Sequence, residues 1–109
     1  MNMGTLATIA HQAPANYCLI IVDNKAYGST GNQPTCTAQK TDLAAVARGA
    51  GNREVKRVKS IVQLRTALRL LKNKSSIIVA ETDCSAEPAP VIPLTPLQIR
   101  DRFMGKIRK

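Results

Sequence analysis

Aromatic residues are scarce in this sequence. Tyr17, Tyr27 and Phe103 are the only three, and tryptophan is absent from all 109 residues. A core must therefore be aliphatic, and a nucleic-acid surface built on stacked aromatics is excluded. Histidine occurs once, at His11, and no two cysteines stand at CxxC spacing, so a Cys/His zinc site lacks ligands. Cys18, Cys36 and Cys84 are odd in number and far apart. That argues against a disulfide framework and leads to the expectation of a reducing, cytoplasmic setting. No apolar run is long enough to span a bilayer, so a membrane is not expected as a partner. The first residues carry no cation ahead of their apolar positions, so a secretory signal is not expected either.

What is present is an aliphatic, basic chain of single-domain size. Hydrophobic residues make up 44%, enough for a packed core. Sixteen Lys and Arg face seven Asp and Glu, for a net charge of +9. The cations gather after residue 47, and the last ten residues include Arg100, Arg102, Lys106, Arg108 and Lys109. With no nucleic-acid motif beside them they read as solvated helix faces, and nucleic acid is not expected as a partner.

Helical spacing of Leu6, Ile9 and Ala10 predicts a helix from Met3 to His11, stopped before Pro14. The unbroken apolar run Cys18-Leu19-Ile20-Ile21-Val22 reads as a fully buried strand of a parallel sheet. Thr41 or Asp42 can cap a helix from Leu43 to Arg48 that ends at Gly49 and Gly51. Val55 and Val58 mark a short segment suited to an edge strand. Ser60 caps an amphipathic helix whose Ile61, Leu64, Leu68 and Leu71 are expected in the core, with Arg65, Arg69 and Lys72 opposite. Ser76 to Ala80 is a second buried strand. Pro88, Pro90 and Pro93 make an extended crossing segment. Thr95 and Pro96 then open a helix carrying Ile99, Phe103 and Ile107. Strands alternating with helices imply an α/β fold, a parallel sheet with helices on both faces. Two or three strands are few for such a sheet, so residues 1–109 read as a single domain lacking its first strands.

Residues 23 to 40 lie between the first strand and the second helix, and a structureless loop of that length in a small domain is usually functional. It begins at the C-terminal end of a parallel strand, where open α/β sheets bind ligands. The segment Asp23-Asn24-Lys25-Ala26-Tyr27-Gly28-Ser29-Thr30-Gly31-Asn32-Gln33-Pro34-Thr35 offers a carboxylate, amides, hydroxyls and glycines. Those are hard oxygen ligands suited to Mg²⁺ or Ca²⁺, and a candidate metal and phosphate site. Asp23 is the alternative loop-shaper, binding nearby N–H groups, and Asn24 can equally be an ordinary turn residue. Ser29, Thr30, Asn32 and Gln33 either face a substrate or close the loop on itself.

Several segments together support a resemblance. Met1 to Ala10, the pair Asp23-Asn24, Asp42 to Arg48 and Ile92-Pro93-Leu94-Thr95-Pro96 resemble the C-terminal, diphosphate-binding domain of thiamine-diphosphate enzymes. Within that family, Ala26 to Thr35 is most similar to the beta subunits of sulfopyruvate decarboxylases, with phosphonopyruvate decarboxylases next. The resemblance implies the thiamine-diphosphate-binding fold, thiamine diphosphate and Mg²⁺ as cofactors, and decarboxylation of a small anionic 2-oxo acid. It implies that Asn24, through its side-chain oxygen, and Ala26, through its carbonyl, bind the metal. Asn24, Ala26, Tyr27 and Gly28 would contact the cofactor, and Ser29, Thr30, Asn32 and Gln33 the substrate. The catalytic residue is not identified. The family's metal-binding carboxylate sits in a Gly-Asp-Gly triplet expected just before Met1, and its activating glutamate in a pyrimidine-binding domain or subunit. Neither is among the 109 residues, so an alpha-type, pyrimidine-binding partner in a hetero-oligomer is implied. An acetolactate-synthase-like enzyme, a non-catalytic remnant and a basic binding module remain as alternatives.

Overall fold

A computed structural model of the chain describes residues 2–71, 73–85 and 89–107. Met1, Lys72, Pro88, Arg108 and Lys109, named above, lie outside the described residues. The order of elements is α1 (Gly4–Gln12), β1 (Cys18–Asp23), β2 (Ala26–Tyr27), β3 (Gln33–Pro34), α2 (Leu43–Gly49), β4 (Glu54–Val58), α3 (Ile61–Arg69), β5 (Ser76–Glu81) and α4 (Pro96–Ile107). Strands β1, β5 and β4 form a three-stranded sheet in that order, and both pairings are parallel. The expected α/β architecture is present, with helices on both faces. Leu6 of α1 and Ala44 and Ala47 of α2 pack with Ile77 and Val79 on one side of β5. Ala67 of α3 packs with Ile78 and Ala80 on the other.

β5 is the central strand, and Ile77, Ile78 and Val79 are at most 2% exposed. The continuous apolar reading fits because both faces are covered. β1 departs from that reading. It is an edge strand, and only Leu19 and Ile21 reach the core beneath α1 and α2. Ile20 and Val22 point to the opposite face and stand 42% and 68% exposed, since on that face only Cys18 of β1 packs with the cluster beneath α3. An apolar run is blind to this, because it records what a strand can bury and not which neighbours cover it.

The leucine face of α3 is likewise only partly core. Ala67 is buried and Leu64 and Leu71 pack beside it, whereas Ile61 is 61% exposed and Leu68 39%. A nine-residue helix has about two and a half turns, so only its central positions meet a three-stranded sheet. Residues 23 to 40 are not structureless. β2 and β3 pair as an antiparallel hairpin, and single 3₁₀ turns span Gly28–Thr30 and Cys36–Ala38.

Helix starts follow capping chemistry. Asp42, not Thr41, caps α2 by accepting the Ala45 N–H at 3.0 Å, and Ser60 caps α3 by accepting that of Gln63 at 3.2 Å. Gly51 follows α2 at φ +100°, a conformation that a side chain resists. Asn52, buried at 8% exposure, donates to the carbonyls of Leu6 at 2.9 Å and Ala47 at 3.0 Å and so ties α1 to α2.

Asp42 also pairs with the Arg57 guanidinium, and that hydrogen bond, with the one from Ala45 N–H, holds its carboxyl below the ordinary aspartate value. A folded-state pKa below the unfolded one stabilises the fold above the unfolded value, about 3.9, and that contribution is lost as pH falls through the lower folded value. Asp42→Asn keeps a good cap but removes the charge. Its urea midpoint should therefore fall less steeply than that of the parent protein below about pH 4. Equal acid limbs for the two proteins would remove Asp42 from that transition.

Candidate metal and diphosphate site

The C-terminal ends of β1, β4 and β5 open onto a cleft of about 280 Å³, lined among others by Asp23, Lys25, Thr37, Asp42, Arg57 and Glu81. This is the end of a parallel sheet at which α/β proteins bind ligands. The chain leaves β1 through two consecutive side-chain turns. Asp23 Oδ1 accepts the Lys25 N–H at 3.1 Å, and Asn24 Oδ1 accepts the Ala26 N–H at 3.2 Å. Asp23 Oδ1 also accepts the Thr37 hydroxyl at 2.7 Å, and Thr37 in turn meets the Thr35 hydroxyl at 2.7 Å. Asp23 is thus the loop-shaping residue, with its carboxylate committed to the far side of the hairpin.

The hairpin register decides what Ala26 presents. Lys25 carbonyl accepts the Thr35 N–H at 3.0 Å, while the Lys25 N–H goes to Asp23 Oδ1, so a single bond joins 25 and 35 at the base of the hairpin. The next pair, Ala26 opposite Pro34, is then a non-hydrogen-bonded one, whose N–H and C=O point away from the partner strand. Pro34 has no N–H in any case. The outward Ala26 N–H is taken by Asn24 Oδ1, so the Ala26 carbonyl lies on the same edge as that amide oxygen. An amide oxygen has two lone pairs, and the Ala26 N–H uses one. Two hard oxygens therefore share one edge, which fits a small oxygen-seeking cation. Among the described residues no group of three or more His, Cys, Asp or Glu is placed to hold a metal. A cation here would need further oxygens, and phosphate oxygens of a bound cofactor are the usual complement for Mg²⁺.

The remaining candidates divide. Gln33 Nε2 donates to the Thr30 carbonyl at 2.7 Å, and the Thr30 hydroxyl donates to Gln33 Oε1 at 2.9 Å. Thr30 and Gln33 therefore close the hairpin on itself. Ser29 and Asn32 are exposed beside them and make no side-chain hydrogen bond among the described residues. Gly31 sits at φ +111° and requires glycine. Gly28 does not, because its φ is not positive and a Cβ there would meet only Asn32 Oδ1 at 3.7 Å. Tyr27 is half exposed at the hairpin rim.

Residues that the sequence did not single out line the cleft, which Asn24 and Ala26 do not. Glu81, at the end of β5 with its side chain 16% exposed, accepts a hydrogen bond from Lys25 Nζ at 3.1 Å and forms ion pairs with Arg57 Nε at 3.3 Å and Lys59 Nζ at 3.8 Å. Its position was available as a signal, since Glu81 follows the second buried strand just as Asp23 follows the first. Elsewhere, Cys18 lies partly buried beneath α3, and burial pushes its thiol pKa up. Cys36 and Cys84 are exposed, and all three thiols are free. No helix is long and apolar enough to cross a membrane among the described residues.

Comparison with known proteins agrees with this fold. Residues 1–81 match the family model described as thiamine pyrophosphate enzyme, C-terminal TPP binding domain. The chain belongs to that family, whose cofactor is thiamine diphosphate. It is 37% identical over 111 residues to a protein of Methanocaldococcus jannaschii named sulfopyruvate decarboxylase subunit beta, covering 100% of this chain and 58% of that protein. The identity is 44% over 111 residues to the Methanococcus maripaludis protein of the same name, covering 100% of this chain and 59% of that protein. A phosphonopyruvate decarboxylase of Streptomyces hygroscopicus is 44% identical over 68 residues, 62% of this chain and 17% of that protein. The chain thus spans a little under three fifths of the length of these two beta subunits.

Proposed function

We propose that this chain is the diphosphate-binding part of a thiamine-diphosphate-dependent 2-oxo acid decarboxylase, a carboxy-lyase that converts sulfopyruvate to sulfoacetaldehyde and CO₂ on the way to coenzyme M. One observation carries the reading. Asn24 Oδ1 accepts the outward N–H of Ala26, opposite Pro34, in the hairpin at the C-terminal end of a parallel strand, in a chain of the thiamine-diphosphate family. Asn24 and Ala26 would hold Mg²⁺, and the backbone at Tyr27 and Gly28 would approach the diphosphate. When bound, thiamine diphosphate supplies the electron sink for the bond that breaks as CO₂ leaves. The chain's own residues bind and orient. Ser29 and Asn32 offer a hydroxyl and an amide to an anionic substrate tail, while Thr30 and Gln33 keep the hairpin in shape.

The second part of the proposal is a separate pyrimidine-binding subunit in a hetero-oligomer. The chain exposes 8689 Å² of surface, against about 5900 Å² for a folded monomer of its mass. Its radius of gyration is 16.3 Å, where a compact chain of this length has about 13 Å. Leu97 and Phe103 of α4 and Val22 of β1 are each more than 60% exposed, which leaves apolar surface for a partner. We place the assembly in the cytoplasm, where its three free thiols are stable.

The test is CO₂ release by the chain combined with a pyrimidine-binding subunit, comparing sulfopyruvate, phosphonopyruvate and pyruvate. Sulfopyruvate should react fastest, and the chain without partner should be silent. Preference for phosphonopyruvate or pyruvate would reassign the substrate. No turnover of any of the three, with cofactor bound, would favour a non-catalytic role.

A further inference from the structure

The turn that carries the two metal-facing oxygens depends on a strained residue. Lys25, between Asn24 and Ala26, has φ +60°, a left-handed conformation that a non-glycine residue resists. Relaxing Lys25 would redirect the chain between Asn24 and Ala26, and their oxygens would leave their common edge. Three bonds hold it. Two are local to the loop, from its N–H to Asp23 Oδ1 at 3.1 Å and from the Thr35 N–H to its carbonyl at 3.0 Å. The third leaves the loop, from Lys25 Nζ to Glu81 Oε2 at 3.1 Å.

We propose that Glu81 is the positioning residue of this site, a carboxylate on the rigid central strand that locks the Lys25 turn and so aims the Asn24 and Ala26 oxygens. The aim matters to the cofactor only through the metal assignment above, on which that part rests. Glu81 is well placed to be the fixed partner. Its side chain is 16% exposed and that of Lys25 44%, so the carboxylate is the anchored end. Glu81 lies opposite Asp23 in the parallel register, so the lock closes directly over the strand end from which the turn departs. Arg57 Nε at 3.3 Å and Lys59 Nζ at 3.8 Å hold the carboxylate from β4 and the segment after it, and Arg57 continues to Asp42, the cap of α2. The turn, β4, β5 and α2 are thereby joined through one acid. The sheet itself does not need this acid, since β5 is held by its ladders to β1 and β4 and by the buried run Ile77–Ala80.

Hydrogen exchange on the full chain reads the lock directly. In Glu81→Gln and in Lys25→Met, the amides of Ala26 and Thr35 should exchange about tenfold faster while those of Ile77 to Val79 keep their protection. The double variant should be no faster than the quicker single one, because both remove the same contact. If Glu81→Gln folds poorly, Lys25→Met decides alone, since its side chain is the exposed end. Unchanged exchange at Ala26 and Thr35, or uniform loss of protection through β5 in both variants, overturns the proposal. Titration with Mg²⁺ and thiamine diphosphate separates it from the metal assignment. Accelerated exchange with normal cofactor binding by Asn24→Ala upholds the lock and overturns the metal role. Accelerated exchange with binding lost in Asn24→Ala and weakened about tenfold in Lys25→Met supports both.

Discussion

Asn24→Ala is expected to lower Mg²⁺-dependent affinity for thiamine diphosphate by about 100-fold, since it deletes the side-chain oxygen assigned to the cation. The fold should survive, because the variant loses a single turn hydrogen bond, the one from Ala26 N–H at 3.2 Å. Such a bond contributes about 1 kcal/mol. Ala26 provides the contrast. Its contribution is a backbone carbonyl, directed outward by its non-hydrogen-bonded place opposite Pro34, so Ala26→Ser should bind the cofactor nearly as well as the parent protein. Pro34→Ala tests the reason behind this. The opposing residue then has an N–H, but the register still points it outward, so affinity should hold. Calorimetric titration of these variants checks the order, and tight binding by Asn24→Ala would remove the metal role.

The largest stability effect should come from the centre of β5. Ile78 is fully buried and packs beneath α3 with Val58, Ala67 and Ala80. Ile78→Ala removes three carbons from a site closed on all sides, which costs about 2–5 kcal/mol. In a chain of this size that is a large part of the total stability. Val22→Ser on β1 should change stability by less than about 0.5 kcal/mol, because Val22 is 68% exposed. Urea denaturation of the two variants separates a central strand from an uncovered edge strand. A loss below about 1 kcal/mol for Ile78→Ala would contradict the placement of the core.

Local chemistry explains which features were legible before the fold was known. β5 was readable because an unbroken apolar run and burial on both faces coincide. The cap Ser60 was readable because capping acts over three residues, whereas Asp42 was one of two candidates with Thr41 until its bond to Ala45 N–H was seen. The apolar run of β1 overstates its burial, because exposure of Ile20 and Val22 depends on how far α3 reaches across the sheet, which no property of residues 18–22 encodes. The hairpin within residues 23–40 was missed because its strands are two residues each, too short for any alternation pattern. Asp23 could be weighed as a loop-shaper, but its bond to Thr37 spans 14 positions and emerges only once the hairpin folds back. The Glu81 lock joins residues 56 apart and is invisible to any local reading. Thr30 and Gln33 were left open between binding a substrate and closing the loop, and their mutual hydrogen bonds point to the second.

The most direct test of the metal assignment is a crystal structure of the chain with its pyrimidine-binding partner and thiamine diphosphate, with Mn²⁺ in place of Mg²⁺ so that anomalous scattering locates the ion. The account predicts one strong peak within coordination distance, roughly 2.0–2.3 Å, of Asn24 Oδ1 and the Ala26 carbonyl oxygen, bridged to the diphosphate. A peak that contacts the diphosphate but neither of these oxygens would contradict it.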